Sequence, residues 1–345
     1  MSSAANTDEG EHVKKANKEV SPSFQAAKGI LLTVMSAIAS SFGGEFTALI
    51  DKEGLPNFQT LFLRRAIELL TLIPILAICR PRLTGENRRQ NIMLFLFAIF
   101  TNCVNFFNFF SFIYAVPGIA FGFIQGLKPF FVAGIGFVFL KESLFLGDIF
   151  GLLTSVTGVA LVAVGNTQVD GMSTKLLVLS IVIPITASFA LAPDVVFMRY
   201  LTGTLEVAIV TILLYMNLVG SVILLGITYA LETPVWTMSL RTALYVVGLG
   251  LSRSLSNICF LAGLKNIKAY ITTTVHMFAI PFTLILDSFF LRNVPNSFHL
   301  AGVVLVMMGI TFVSAYTWWR ERQKELRDEF LKSLQFNPDE RPDGH

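Results

Sequence analysis

Residues 139–166, FLKESLFLGDIFGLLTSVTGVALVAVGN, align without a gap on residues 290–317, FLRNVPNSFHLAGVVLVMMGITFVSAYT. In both segments a turn containing charged residues is followed by an apolar run. Gly151 and Gly158 fall on Gly302 and Gly309 at an offset of 151. Pro129-Phe130 against Pro281-Phe282 repeats the relation at an offset of 152. Self-similarity at a near-constant offset marks an internal duplication. Both members of the pair are apolar helix-sized segments, and glycines two turns apart return to one helix face, as close helix packing in lipid requires.

Composition fixes the medium in which these segments fold. Of 345 residues, 54% are hydrophobic and 14% charged, and the mean hydropathy is +0.66. Soluble domains carry about 25% charged residues, so this chain cannot cover a water-facing surface. A soluble enzyme, a disordered scaffold and a disulfide-rich secreted module are excluded, and a net charge of +3 does not point to nucleic acid. The three cysteines, Cys79, Cys103 and Cys259, stand alone in apolar runs and read as small apolar filler. An all-α polytopic membrane protein is expected.

A membrane-crossing helix takes about 20 apolar residues, and backbone groups left in lipid without partners force each span to be helical. Ten candidates run near 28–50, 57–79, 91–113, 119–140, 147–165, 175–197, 207–231, 241–263, 269–291 and 298–319. With the N-terminus inside, inner segments hold 18 of the 26 lysines and arginines and outer segments 4, the rest being Arg64, Arg65, Lys128 and Arg253 within spans. That bias predicts cytoplasmic termini. Residues 1–27 are polar and lack a signal-peptide core. The predicted organisation is a tail at 1–27, a first five-helix repeat at 28–166, a linker at 167–174, a second repeat at 175–319 and a cytoplasmic tail at 320–345, beginning RERQKELRDEFLKSLQF. An odd number of spans per repeat inverts the second, an architecture of transporters with a midplane site.

Phe139-Leu140-Lys141-Glu142, the turn after it and Gly151 with Gly158 resemble the EamA-type fold of the drug/metabolite transporter superfamily. Residues 61–81, LFLRRAIELLTLIPILAICRP, are most similar to the G branch of solute carrier family 35. The resemblance covers about residues 28–317. It implies two inverted five-helix repeats, a cavity lined by the third, fourth, eighth and ninth helices, first and sixth helices that gate it, and fifth and tenth helices at the periphery or in a homodimer. Two departures stand out: Asn293 occupies the Glu142 position, and no arginine pair in the second half matches Arg64-Arg65.

Charges at membrane depth are costly and mark function. Lys128, before Pro129 and near Gln125, and Arg253, one turn before Asn257, sit mid-span; the alternative for each is internal pairing, Arg253 with Asp287 or Glu45. Asn102, Asn105, Asn108 and Ser111 form a polar stripe that either lines a cavity or bonds another helix. Arg64 and Arg65 precede Glu68 by four and three residues, the simpler account being local neutralisation, though two cations against one anion leave a positive excess facing inward. His276, in the span of Pro281, is a candidate contact or a satisfied buried histidine. Glu45 and Asp287 are candidate coupling or gating groups along with Pro129 and Pro281, and Asp194 is expected to pair with Arg199. Gly43-Gly44 reads as helix packing. No catalytic, metal-ligating or cofactor motif is recognisable. The expectation is a secondary transporter of a small organic anion, bearing carboxylate or phosphate, in the plasma membrane or an endomembrane. A membrane scaffold on a transporter fold and a Golgi nucleotide-sugar carrier are the alternatives.

Overall fold

The computed structural model describes residues 21–114, 117–165, 174–290 and 296–335. Among them only helices occur: α1 Pro22–Lys52, α2 Asn57–Cys79, α3 Arg88–Tyr114, α4 Pro117–Phe139, α5 Leu146–Gly165, α6 Thr174–Arg199, α7 Ile209–Leu231, α8 Leu240–Asn266, α9 Ala269–His276, α10 Ala279–Phe290 and α11 Ser297–Gln335. A single π-turn, Tyr200–Thr204, prolongs α6.

Seven of these segments are long and apolar enough to cross a membrane: Pro22–Lys52, Arg88–Asn108, Val182–Thr204, Ile209–Leu231, Leu240–Asn266, Ala269–Phe290 and Ser297–Leu331. Phe123–Phe139 and Leu146–Val162 are apolar but shorter. The helix α2 has Arg64, Arg65 and Glu68 near its centre, which dilutes its apolar signal. Outward-facing side chains such as Leu70, Phe95, Val222 and Leu251 are large and apolar, as a surface turned to lipid requires.

The expected ninth span differs from a simple helix. It breaks into α9 and α10 at Met277 and Phe278, whose amides bond back to Thr274 and Val275. Pro281 has no amide hydrogen to give to the carbonyl of Met277, four residues earlier, and Ile280 N–H takes that carbonyl instead at 2.9 Å. Ser41 of α1 donates to the carbonyl of Ala279 at 3.0 Å. Pro129, its counterpart in the alignment, stays inside an unbroken α4. At the chain's other end, residues 320–335, expected as the start of a tail, continue α11 as helix. Ser23, in the first turn of α1, donates to Glu325 of that continuation at 2.7 Å, so the two ends of the bundle's chain lie on one side.

Packing follows the duplication. The helices α5 and α11 run antiparallel with Gly151 against Gly309 and Gly158 against Gly302. A Cβ on Gly158 would come 2.6 Å from the carbonyl oxygen of Gly302, and one on Gly302 would come 2.5 Å from that of Gly158. Under the sequence alignment the Gly158–Gly302 contact becomes the Gly309–Gly151 contact, which is the signature of a self-complementary, twofold interface, here built within one chain. The other contacts pair in the same way: α1 packs on α8 as α3 does on α6, α2 on α8 as α3 on α7, and α4 on α6 as α1 on α9 and α10. The glycine faces are therefore consumed inside the protein, between α5 and α11, rather than left free for a second copy.

Candidate functional site: a cationic cavity between the two halves

A cavity of about 660 Å³ lies between the halves. Its walls come from α1, α2, α3, α4, α6, α7, α8 and α9, broader than the four helices the resemblance implies. It begins at the exposed Asp51 and Asn57, where α1 and α2 meet, and ends deep in the bundle at Met198, Phe260 and His276. All of Arg64, Asn105, Asn108, Gln125, Lys128, Arg253, Asn257 and His276 are in its wall, while Glu45, Pro129, Pro281 and Asp287 are not.

Each cation is positioned by its own helix. Lys128 stands midway along α4 and Arg253 midway along α8. Packing of α1 on α8 is close because Ser36 and Ser256 exchange hydrogen bonds, 2.8 Å and 2.9 Å to each other's carbonyl. Gly43 then leaves room for the guanidinium: a Cβ there would meet Arg253 Nε at 2.8 Å. So one of the two adjacent glycines serves the site as well as the packing. Arg253 donates to Ser40 Oγ at 3.0 Å, and its Nε is buried without a partner. Among the described residues, neither Lys128 nor Arg253 has a carboxylate within 4.0 Å. The pairing of Arg253 with Asp287 or Glu45 is thus not what the structure holds.

Arg64 and Arg65 do share Glu68, at 3.4 Å and 3.1 Å. Glu68 is almost fully buried and also accepts from Asn257 Nδ2 at 3.0 Å. Arg65 reaches across to Asn217 of α7 at 3.0 Å. One carboxylate cannot neutralise two guanidinium groups, and both Nε atoms remain buried without a hydrogen bond. Both arginines line the cavity. Asp194 is the residue that sequence reasoning misplaced. It lies in the cavity wall beside Thr101 and within electrostatic reach of Lys128 and Arg65, whereas Arg199 pairs with Glu142 at 3.5 Å. Five residues of α6 separate inward-facing Asp194 from Arg199, a spacing that turns their side chains about 140° apart around the helix. Below the mouth, four cations face two carboxylates, Glu68 and Asp194, in surroundings that screen charge poorly.

The polar stripe of α3 divides its work. Asn102 donates to the carbonyls of Ala98 and of Met216 on α7, at 2.7 Å and 3.1 Å, so it joins helices. Asn105 and Asn108 line the cavity, and Asn108 Oδ1 has no partner. The side chain of Ser111, and Asn293, lie outside the described residues. His276 is buried with its ring edge-to-face on Phe260, centroids 5.2 Å apart. Glu45 and Asp287 instead meet each other across α1 and α10.

The end of the bundle opposite the mouth is sealed by polar links between the halves. Glu142, in the turn after α4, accepts from the amide of Ala269 at 3.2 Å and so caps α9. Lys268 donates to the carbonyl of Ser143 at 2.6 Å. Asp148 accepts from Tyr270 at 2.5 Å and Arg320 at 3.3 Å. Burial pushes the Glu142 carboxyl above its ordinary range despite Arg199 and the capped amide, and burial holds the Lys268 ammonium below its own.

A helical bundle of two matching halves, with a deep polar cavity between them open at one end and closed at the other, is the architecture of inverted-repeat membrane transporters. The chain belongs to the EamA-like transporter family, which it matches twice, over residues 27–164 and 178–315. No curated protein matches it in sequence. A solved structure described only as "Crystal structure of protein" covers 86% of this chain and 97% of its own at a TM-score of 0.67 and 16% identity, and shows the same fold.

Proposed function

We propose that the protein is a secondary transporter that moves a small organic anion, bearing carboxylate or phosphate, by alternating access between its two halves. The observation that carries this reading is the pair of mid-depth cations without carboxylate partners: Lys128 on α4 of the first half and Arg253 on α8 of the second. Burying a charge is unfavourable unless something compensates it, and an anionic substrate held between the two would do so once per transport cycle. Arg253 and Arg64 offer forked donors suited to carboxylate or phosphate, and Asn105, Asn108, Asn257, Gln125 and His276 supply neutral polar contacts around them.

Ten spans, cytoplasmic termini and repeats bounded at 28–166 and 175–319 complete the proposed topology, with the cavity mouth on the non-cytoplasmic side. The excess of lysine and arginine at the sealed end supports that orientation. The arginine-containing stretch 61–81 supports a place near the G branch of solute carrier family 35. Glu45 and Asp287, two carboxyl groups in contact between a helix of each half, are the proposed coupling or gating pair. Pro129 and Pro281 sit where helix geometry can change between states.

Uptake of radiolabelled di- and tricarboxylates into vesicles bearing the wild type or Lys128→Ala tests the proposal. Anion uptake that falls at least tenfold in the variant supports it; equal rates remove Lys128 from the site.

A further inference from the structure

A second hollow of about 360 Å³ adjoins the transport cavity between α2, α3, α7 and α8. The two share Arg64, Arg65 and Arg253 as a common wall. Thr47, Thr60, Leu61, Asn105 and Asn108 also belong to the shared wall, and away from it the hollow is lined chiefly by Phe106, Ile223, Leu224, Ile227 and Leu249. Its base is set by Asn102, which clamps α3 to α7: besides the bond to Met216, a Cβ on Gly220 would meet Asn102 Oδ1 at 2.5 Å. It lies toward the Leu231 end of α7, the same side as the cavity mouth. The volume is in the range of small-ligand pockets, which are typically apolar with a few convergent polar groups.

The polar groups at this wall carry unused capacity. Arg65 is only 3% exposed, yet its Nε has no partner, and the same holds for Arg253 Nε and Asn108 Oδ1, while Arg64 Nε makes no hydrogen bond beyond its 3.4 Å ion pair with Glu68. An apolar bay ending on three guanidinium groups is complementary to one kind of molecule, an anion that carries an apolar group. A compact polar anion would satisfy the arginines and leave the bay empty.

We infer that the bay is a subsite of the transport cavity that receives the alkyl or aryl part of an amphiphilic organic anion, whose charged group sits on Arg64, Arg65 and Arg253. This rests on the organic-anion reading above and narrows it to a substrate class. The same chemistry belongs to an anionic lipid, which could approach from the bilayer beside the exposed Phe107 and Val222.

The test is binding of methyl, butyl and hexyl phosphate, with hexanol as neutral control, to the full chain in zwitterionic-lipid nanodiscs. Affinity should rise at least tenfold from methyl to hexyl phosphate, and hexanol should bind at least tenfold more weakly than hexyl phosphate. Ile227→Trp, which fills the bay, should flatten the series while methyl phosphate binding is unchanged; Cys103→Phe provides a second filling variant should the first not fold. A flat series in the wild type overturns the inference and leaves the anion reading intact. Absence of binding at every length overturns both. Hexanol binding as well as hexyl phosphate overturns the amphiphile assignment. Loss of hexyl phosphate binding on adding phosphatidylglycerol to the nanodisc makes the bay a lipid site and overturns its role as a substrate subsite.

Discussion

Replacing Gly302 by alanine places a methyl group 2.5 Å from the carbonyl oxygen of Gly158 and 2.9 Å from the amide nitrogen of Val162. Ordinary contact begins at 3.4 Å, so α11 and α5 must separate locally by 3.4 − 2.5 = 0.9 Å. Backbone atoms cannot swing aside as a side chain would, and the displacement spreads along the α5–α11 seam, where Gly309 against Gly151 is equally tight, at 2.6 Å. Overpacking of this kind costs about 1–3 kcal/mol. Gly158→Ala should cost a similar amount, because its Cβ would come 2.6 Å from the carbonyl oxygen of Gly302 on the other side of the same contact. The double variant should cost less than the sum, because the first methyl already opens the gap for the second. Gly226, on α7, has nothing within 4 Å of its would-be Cβ. Gly226→Ala should be neutral or stabilising by roughly 0.5–1 kcal/mol, the usual gain of alanine over glycine in a helix. Thermal unfolding of the purified protein, followed by intrinsic fluorescence with size-exclusion chromatography in parallel, reads all four variants. If Gly302→Ala melts like Gly226→Ala, the seam is not as close as described. If it dissociates an oligomer without lowering the stability of the monomer, the glycine faces belong between subunits and the intramolecular pairing is wrong.

Three further outcomes follow from the site. Glu68→Gln leaves Arg64 and the buried Arg65 without their shared carboxylate, a loss of about 3–5 kcal/mol; a melting shift no larger than that of a surface substitution would contradict the pairing. Asn102→Ala removes the side-chain bridge between α3 and α7, for about 0.5–1.5 kcal/mol, checked by the same melt. Glu142 has a folded-state carboxyl raised by burial, so its contribution is fully present below the unfolded value and is lost as pH rises through the folded one. Stability of the wild type relative to Glu142→Gln should therefore fall as pH increases; a difference that grows with pH would show that Arg199 and the α9 cap outweigh burial.

Much of the fold was legible because lipid permits so little else. Long apolar runs must be helices, and the glycine pairs mark where helices touch. Sequence could not say what they touch: Gly151 and Gly158 fit a dimer face and an internal seam equally well until the partner helix is placed. The break at Met277 was hidden because a proline may interrupt a helix or be absorbed, and Pro129 and Pro281 do one each. For the site, charge at membrane depth singled out Arg64, Lys128 and Arg253, and these share one cavity. Arg65 pairs with Glu68 as its spacing suggests, and it also extends to Asn217 on α7. Asp194 was misjudged because Arg199, five residues on, was read as its partner, whereas Arg199 is drawn away to Glu142 and the carbonyl of Leu264.

The measurement that bears most directly on a cationic transport cavity is a ligand panel read by thermal stabilisation of the full chain in nanodiscs, with carboxylates and phosphates set against their neutral amide and alcohol analogues and against amines. Organic anions should raise the melting temperature, neutral and cationic analogues should leave it unchanged, and the effect should vanish in Lys128→Met and Arg253→Gln while both variants remain folded. Stabilisation by an amine, or by an anion equally in wild type and both variants, would contradict the assignment.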